Sequence, residues 1–181
     1  VIDDRIVGAY ISPTRDNLNV WAVSLKPGQE GQLIFNKNWS PPSEWQTGLH
    51  VIHFTGATNN GDGGTFCIWS KELRKHYGFS LDTGSYLWET DSQSYLEVYG
   101  FGSGEHSWFF AYNKLYSTGV SGILYCYDLA TGETLWTYEV EDPLGEYLFA
   151  NNWWGRIPFI TDGKVYLGHT EHSAIDPKPR G

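Results

Sequence analysis

The sequence predicts an all-β fold of many short strands and tight turns. Three observations carry this. Of 181 residues, 17 % are aromatic and only 18 % charged, and there are 21 glycines. Chains that stay disordered are poor in aromatics, and helical bundles have little use for so much glycine. No stretch approaches the roughly 18 apolar residues of a membrane span, and the longest aromatic cluster, Trp108 to Tyr112, is the length of one strand. The third observation is an internal repeat.

Phe79-Ser80-Leu81-Asp82-Thr83-Gly84-Ser85-Tyr86-Leu87-Trp88 overlays Tyr127-Asp128-Leu129-Ala130-Thr131-Gly132-Glu133-Thr134-Leu135-Trp136 at an offset of 48 residues, with Leu, Thr, Gly, Leu and Trp coinciding. A degenerate copy lies upstream, in Ala22 to Gly28 and, after a short insertion, Gly31 to Phe35. Within one unit, Ser107 to Tyr112 and Lys114 to Thr118 read as strands separated by Asn113. Ile123 to Tyr127 is a continuous apolar run, as in a strand buried on both faces. Thr131-Gly132 supplies a tight turn, and Leu135 to Tyr138 leaves it as the second strand of a hairpin. Four antiparallel strands in 48 residues, with large aromatics between successive units, describe a β-propeller blade. The units run over 1–40, 46–91, 95–141 and, in part, 151–181 of a single propeller domain. That amounts to about three and a half blades, fewer than closed rings use, so the ring is expected to be incomplete in this chain. The chain opens on Val1 and contains no methionine, which fits a processed chain or a fragment of a larger propeller.

The pattern small-x-Asp-x-x-Thr-Gly-x-x-x-Trp resembles the repeat of the PQQ-like, quinoprotein-type β-propellers. That superfamily includes quinoprotein alcohol dehydrogenases and outer-membrane assembly lipoproteins. The tail Ile157 to His169 adds a resemblance to archaeal PQQ-like repeat proteins. The resemblance implies structural roles for Gly84, Trp88, Gly132 and Trp136, with each repeat Trp docking on the neighbouring blade and Phe35 standing in for it in the degenerate copy. The first position of the repeat is usually Ala, and here it is Phe79 or Tyr127, so packing there must differ.

The resemblance also raises an enzymatic alternative, a segment of a PQQ- and calcium-dependent dehydrogenase whose site lies in other blades. Those enzymes typically set two adjacent cysteines against the quinone, whereas Cys67 and Cys126 lie far apart in apolar strands and read as buried free thiols. Under the leading reading no cofactor is expected. His169, Glu171 and His172 form the candidate metal site, since imidazoles and a carboxylate suit zinc and the group follows the Lys164 to Gly168 strand into an expected rim loop. Asn59 to Gly64 alternates oxygen-bearing side chains as calcium loops do, but an Asn/Asp/Gly turn between strands accounts for it. Trp153, Trp154 and Arg156 form a candidate binding group if they lie in a loop, where both rings could stack on a sugar or anchor a protein. Trp45 and Trp108 carry the same choice between surface and packing. Lys71 to Lys75 reads as a solvated hairpin loop. Asn38-Trp39-Ser40 fits the glycan-acceptor triplet beside Pro41-Pro42, in an expected loop.

With 12 basic against 21 acidic residues and a formal charge of −9, nucleic acid and anionic membrane surfaces are poor partners. The expectation is a non-catalytic scaffold or binding platform of an extracellular or cell-surface protein, engaging protein or glycan. A further alternative is self-assembly through open blade edges or with the remaining blades of the same protein.

Overall fold

The computed structural model describes residues 1–47, 50–59, 63–94, 107–119, 121–141 and 154–170. Among them are thirteen strands in four antiparallel sheets and one short 3₁₀ turn. The chain divides into two compact units, Val1–Glu89 and Thr90–Gly181.

The first unit begins with a three-stranded sheet, β1 (Arg5–Ile11), β2 (Leu18–Ser24) and β3 (Leu33–Trp39). A 3₁₀ turn, Ser43–Gln46, leads to a four-stranded meander, β4 (Ile52–Thr58), β5 (Thr65–Ser70), β6 (Lys75–Ser80) and β7 (Tyr86–Glu89). β2 alternates between buried and half-buried residues because only one of its faces meets the second sheet. β5 is buried at all six positions, as a strand covered on both faces must be. Leu18, Val20, Ala22 and Phe35 of the first sheet join Phe66, Ile68, Tyr77 and Phe79 of the second, with Leu81 beyond it, in one core. Trp45, from the connecting turn, is wholly buried there. Trp39 binds this core together, since its ring packs 5.2–5.7 Å from those of Tyr86, Phe79, Tyr77 and Trp45. Trp45 is therefore a packing residue.

The second unit contains a four-stranded meander, β8 (Ser107–Ala111), β9 (Lys114–Thr118), β10 (Ile123–Asp128) and β11 (Thr134–Glu139), and the hairpin β12 (Trp154–Thr161)–β13 (Lys164–Thr170). The β8–β9 turn sits on Tyr112 and Asn113, both at positive φ, and the β10–β11 turn on Gly132 at φ 74°. In that second turn the Asp128 carboxylate accepts from the Ala130 and Thr131 amides at 2.8 and 3.0 Å, which fixes its shape. Tyr116, Leu124, Cys126 and Ile157 form one core cluster of this unit, flanked by Phe109, Ile160, Val165 and Leu167. Gln93 is buried and donates to Ser117 Oγ and Tyr127 Oη at 2.9 and 3.0 Å, anchoring the segment after β7 to the third sheet.

The all-β, blade-type architecture is as the repeat predicts. Three local expectations change. His169 lies inside β13, opposite Gly155, and not in a rim loop, because pairing with β12 carries the strand to Thr170. Trp154 and Arg156 stand in β12, so they too are strand residues, while Trp153 lies outside the described residues. Asn38 belongs to β3 and pairs with Asn19, and the chain leaves the sheet only after Trp39.

Candidate functional site

Among the described residues β11 is an edge strand of the third sheet, and all six of its residues are exposed. Its sequence, Thr-Leu-Trp-Thr-Tyr-Glu, places the rings of Trp136 and Tyr138 on one face and Leu135, Thr137 and Glu139 on the other. Leu135, Trp136 and Tyr138 are 45 %, 41 % and 56 % exposed. Between β11 and β13 runs an open apolar cleft of about 610 Å³, lined by Trp136, Tyr138, Val140, Val165 and Leu167 over a floor that includes Leu124. An edge strand offers unpaired N–H and C=O groups, and natural proteins normally cover such an edge or charge it. Here it is bordered by aromatic surface instead.

The repeat residues take the following places. Trp88 of β7 pairs with Gly78, and a methyl group on that glycine would come within 2.2 Å of the indole. Phe35 lies parallel to Phe66 at 6.2 Å, and its ring occupies the space beside Gly84 in the second sheet's turn. Trp136 pairs with Cys126 and lies 6.0 Å from Tyr116, both in its own sheet. Arg156 is exposed. Asn38 is exposed, and its Oδ1 accepts from Asn19 and Asn17. Glu171 and His172 lie outside the described residues, as do Asn60 to Asp62 of the suspected calcium turn. Among the described residues no group of three or more His, Cys, Asp or Glu is placed to hold a metal. Lys71 to Arg74 form the β5–β6 turn, and the Glu72 carboxylate folds back to accept from the Val51 amide at 2.7 Å.

Both cysteines are free and buried. Burial pushes the Cys67 thiol far above its ordinary value and that of Cys126 up to about 11, so both are neutral at physiological pH. Neither is an activated nucleophile. Open blade edges are expected from the sequence, but β11 is not singled out there; Trp136 and Tyr138 alternating around Thr137 is the signal for its aromatic face.

The family model described as outer membrane protein assembly factor BamB matches residues 77–176, just over half of the chain. The chain belongs to that family. The match to BamB starts inside β6 and takes in the third sheet and the β12–β13 hairpin, so the β11 edge lies within it. Among solved structures, BamB from Moraxella catarrhalis is similar at 15 % identity and a TM-score of 0.51, over 90 % of this chain and 46 % of that one. A europium-containing methanol dehydrogenase aligns at 15 % identity and a TM-score of 0.49, over 82 % of this chain and 25 % of that one. The chain thus spans less than half the length of the Moraxella BamB. No curated protein matches it in sequence. Among the described residues no helix is long and apolar enough to cross a membrane.

Proposed function

We propose that this chain is a segment of a non-catalytic propeller scaffold of the cell envelope that takes up an extended segment of a partner protein along β11. The observation that carries the reading is the exposed β11 strand, with Trp136 and Tyr138 on one face, beside its apolar cleft. An edge strand binds an extended peptide through main-chain hydrogen bonds, and the flanking pocket accepts alternate side chains. Membership in the family of an outer membrane protein assembly factor supports both the protein partner and the envelope location. The dehydrogenase alternative, with PQQ and calcium, rests on the likeness of the repeat, and fold alone does not confer chemistry. A glycan on Asn38 belongs to the proposal for a chain exported through a glycosylating route.

The test places a photo-crosslinking amino acid at Leu135 or Tyr138 in the full protein in its own cells, with exposed Asp162 as control. The reading expects one discrete adduct from both β11 positions, absent from Asp162, whose partner peptide maps to an envelope protein. No adduct, or the same adducts from Asp162, would overturn it.

A further inference from the structure

β3, β7 and β11 each stand last in their sheet, so each leaves one edge without a strand partner among the described residues. β3 shows that such an edge stays free with the next sheet in place, since the second sheet packs on the face of the first and does not pair with it. The freedom of the β11 edge therefore follows from its place in the sheet, not from where the sequence stops. The three edges are guarded differently. β3 carries Lys37, and β7 spans only four residues, with Glu89 paired to Lys75 at 2.6 Å. Short edges and lysines are the usual guards against strand addition. β11 has six residues, no lysine, arginine or proline, and one charge, Glu139, at its far end.

Register decides what the β11 edge offers. Val140 donates its amide to the Gly122 carbonyl at 2.8 Å, and Tyr138 and Trp136 pair with Leu124 and Cys126. Residues along an antiparallel pair turn their main-chain groups alternately toward and away from the partner. Val140, Tyr138 and Trp136 turn theirs to β10, so Thr137 and Glu139 turn theirs to the free edge. A strand added there exchanges hydrogen bonds with Thr137 and Glu139. Its residues opposite Trp136 and Tyr138 stand in the closer, non-hydrogen-bonded pairs, which aromatic and β-branched side chains suit best. The residue opposite Glu139 lies on the same face as that carboxylate.

Charge narrows the occupant further. Glu139 and Glu141 are exposed and form no ion pair among the described residues, in a chain of formal charge −9. Opposite charges across a strand pair stabilise it, and like charges destabilise it. A second copy of the chain is therefore a poor occupant. Two β11 strands paired antiparallel about Thr137 would set Glu133 against Glu141 at both ends, and pairing about Glu139 would set that residue against itself. Every strand pair among the described residues is antiparallel, the more stable arrangement. An added strand running against β11 brings its N-terminal end to Glu139. Resting on the reading of β11 as a protein-binding edge, we propose that its occupant is an extended segment with a basic N-terminal end. A lysine or arginine lies opposite Glu139, followed by β-branched or aromatic side chains opposite Tyr138 and Trp136, with one residue between them opposite Thr137.

The test titrates the full-length protein and its Glu139→Lys variant into fluorescein-labelled peptides, followed by fluorescence anisotropy. The first peptide is Ser-Lys-Val-Thr-Val-Ser, the second has Glu in place of Lys, and the third is the first in reverse order. The proposal expects saturable binding of the first peptide and about fivefold weaker binding of the other two, a preference that high salt removes. Glu139→Lys should reverse the preference between the first two while leaving the urea midpoint unchanged, since the side chain is exposed. If that variant fails to fold, Glu139→Gln decides, and it should abolish the preference. The proposal is overturned by no saturation with the first peptide, by equal binding of the Lys and Glu peptides, by tighter binding of the reversed one, or by a dimer joined through β11. An envelope adduct from Leu135 together with equal binding of the peptides would keep the β11 reading and remove this inference alone, whereas the absence of any adduct would remove both.

Discussion

Trp88 lies across the β6–β7 pair over Gly78, so close that a single methyl group on the glycine would sit 2.2 Å from the indole Cε2. The same relation recurs in the other two repeats, with Ala22 opposite Phe35 and Cys126 opposite Trp136. In all three the ladder shifts register immediately after the small residue, at Ala22/Val23, Gly78/Phe79 and Cys126/Tyr127. A small residue, a large ring opposite and a bulge beside them form the structural unit that the repeat encodes.

Gly78→Ala is expected to destabilise the chain by about 1–3 kcal/mol, the usual cost of forcing extra volume into a packed site. Urea unfolding followed by tryptophan fluorescence checks it, and an unchanged midpoint would mean that Trp88 is free to move.

Gly84 combines two constraints. Its φ is +68°, and a Cβ there would lie 2.4 Å from Phe35 Cδ2. Gly84→Ala therefore meets backbone strain as well as a clash. Phe35→Leu should relieve the clash and leave the strain, so the double variant should be less destabilised than the sum of the single ones, by about 0.5 kcal/mol or more. Strict additivity in a double-mutant cycle would show that Phe35 and Gly84 do not touch.

Arg5 joins the two sheets of the first unit. Its Nη1 donates to the Leu81 carbonyl at 2.8 Å and to the Asp82 carboxylate at 2.9 Å. Asp82 is half exposed, so Asp82→Asn should cost about 1 kcal/mol or less, and high salt should erase the effect. Arg5→Ala also leaves a part-buried carbonyl without its donor and should cost about 1 kcal/mol more, with little response to salt. Equal costs for the two variants would refute this division.

Stability should fall in alkali. Burial raises the Cys126 thiol from 9.0 to about 11, and burial together with the Glu89 charge raises the Tyr86 phenol from 10.0 to about 12. Tyr77 and Tyr127 are pushed up further, chiefly by burial. Each group releases its proton more readily when unfolded, so its contribution is complete below the ordinary value and disappears as pH passes the raised one. The urea midpoint is expected to stay level up to about pH 9 and then to drop steadily toward pH 11 and 12. A midpoint unchanged between pH 9 and 11 would contradict it.

The β10–β11 hairpin was legible in the sequence because a local signal, an apolar run followed by Thr131-Gly132 and Trp136, specifies a local structure. The amide cluster around Asn38 was not. Asn17, Asn19, Asn36 and Asn38 meet only through the β2–β3 register, and that register depends on a bulge at Ala22/Val23 inside the most degenerate repeat. Strand ends were misread for a related reason. His169 and Asn38 look like loop residues beside Thr170 and Ser40, but their partner strands, through Gly155 and Asn19, hold them in sheets. Burial differs again: Trp88 and Trp136 occupy the same place in the motif, yet the first is buried and the second is not. Neighbouring layers decide that, and a repeat alone does not specify them.

The scaffold reading is tested most directly by a redox assay of the full-length protein from its natural source. It would be supplied with PQQ, calcium and an electron-accepting dye, over a panel of primary alcohols. The account predicts no dye reduction above the quinone-free control. Turnover that requires both PQQ and calcium would contradict it and make the chain part of an enzyme.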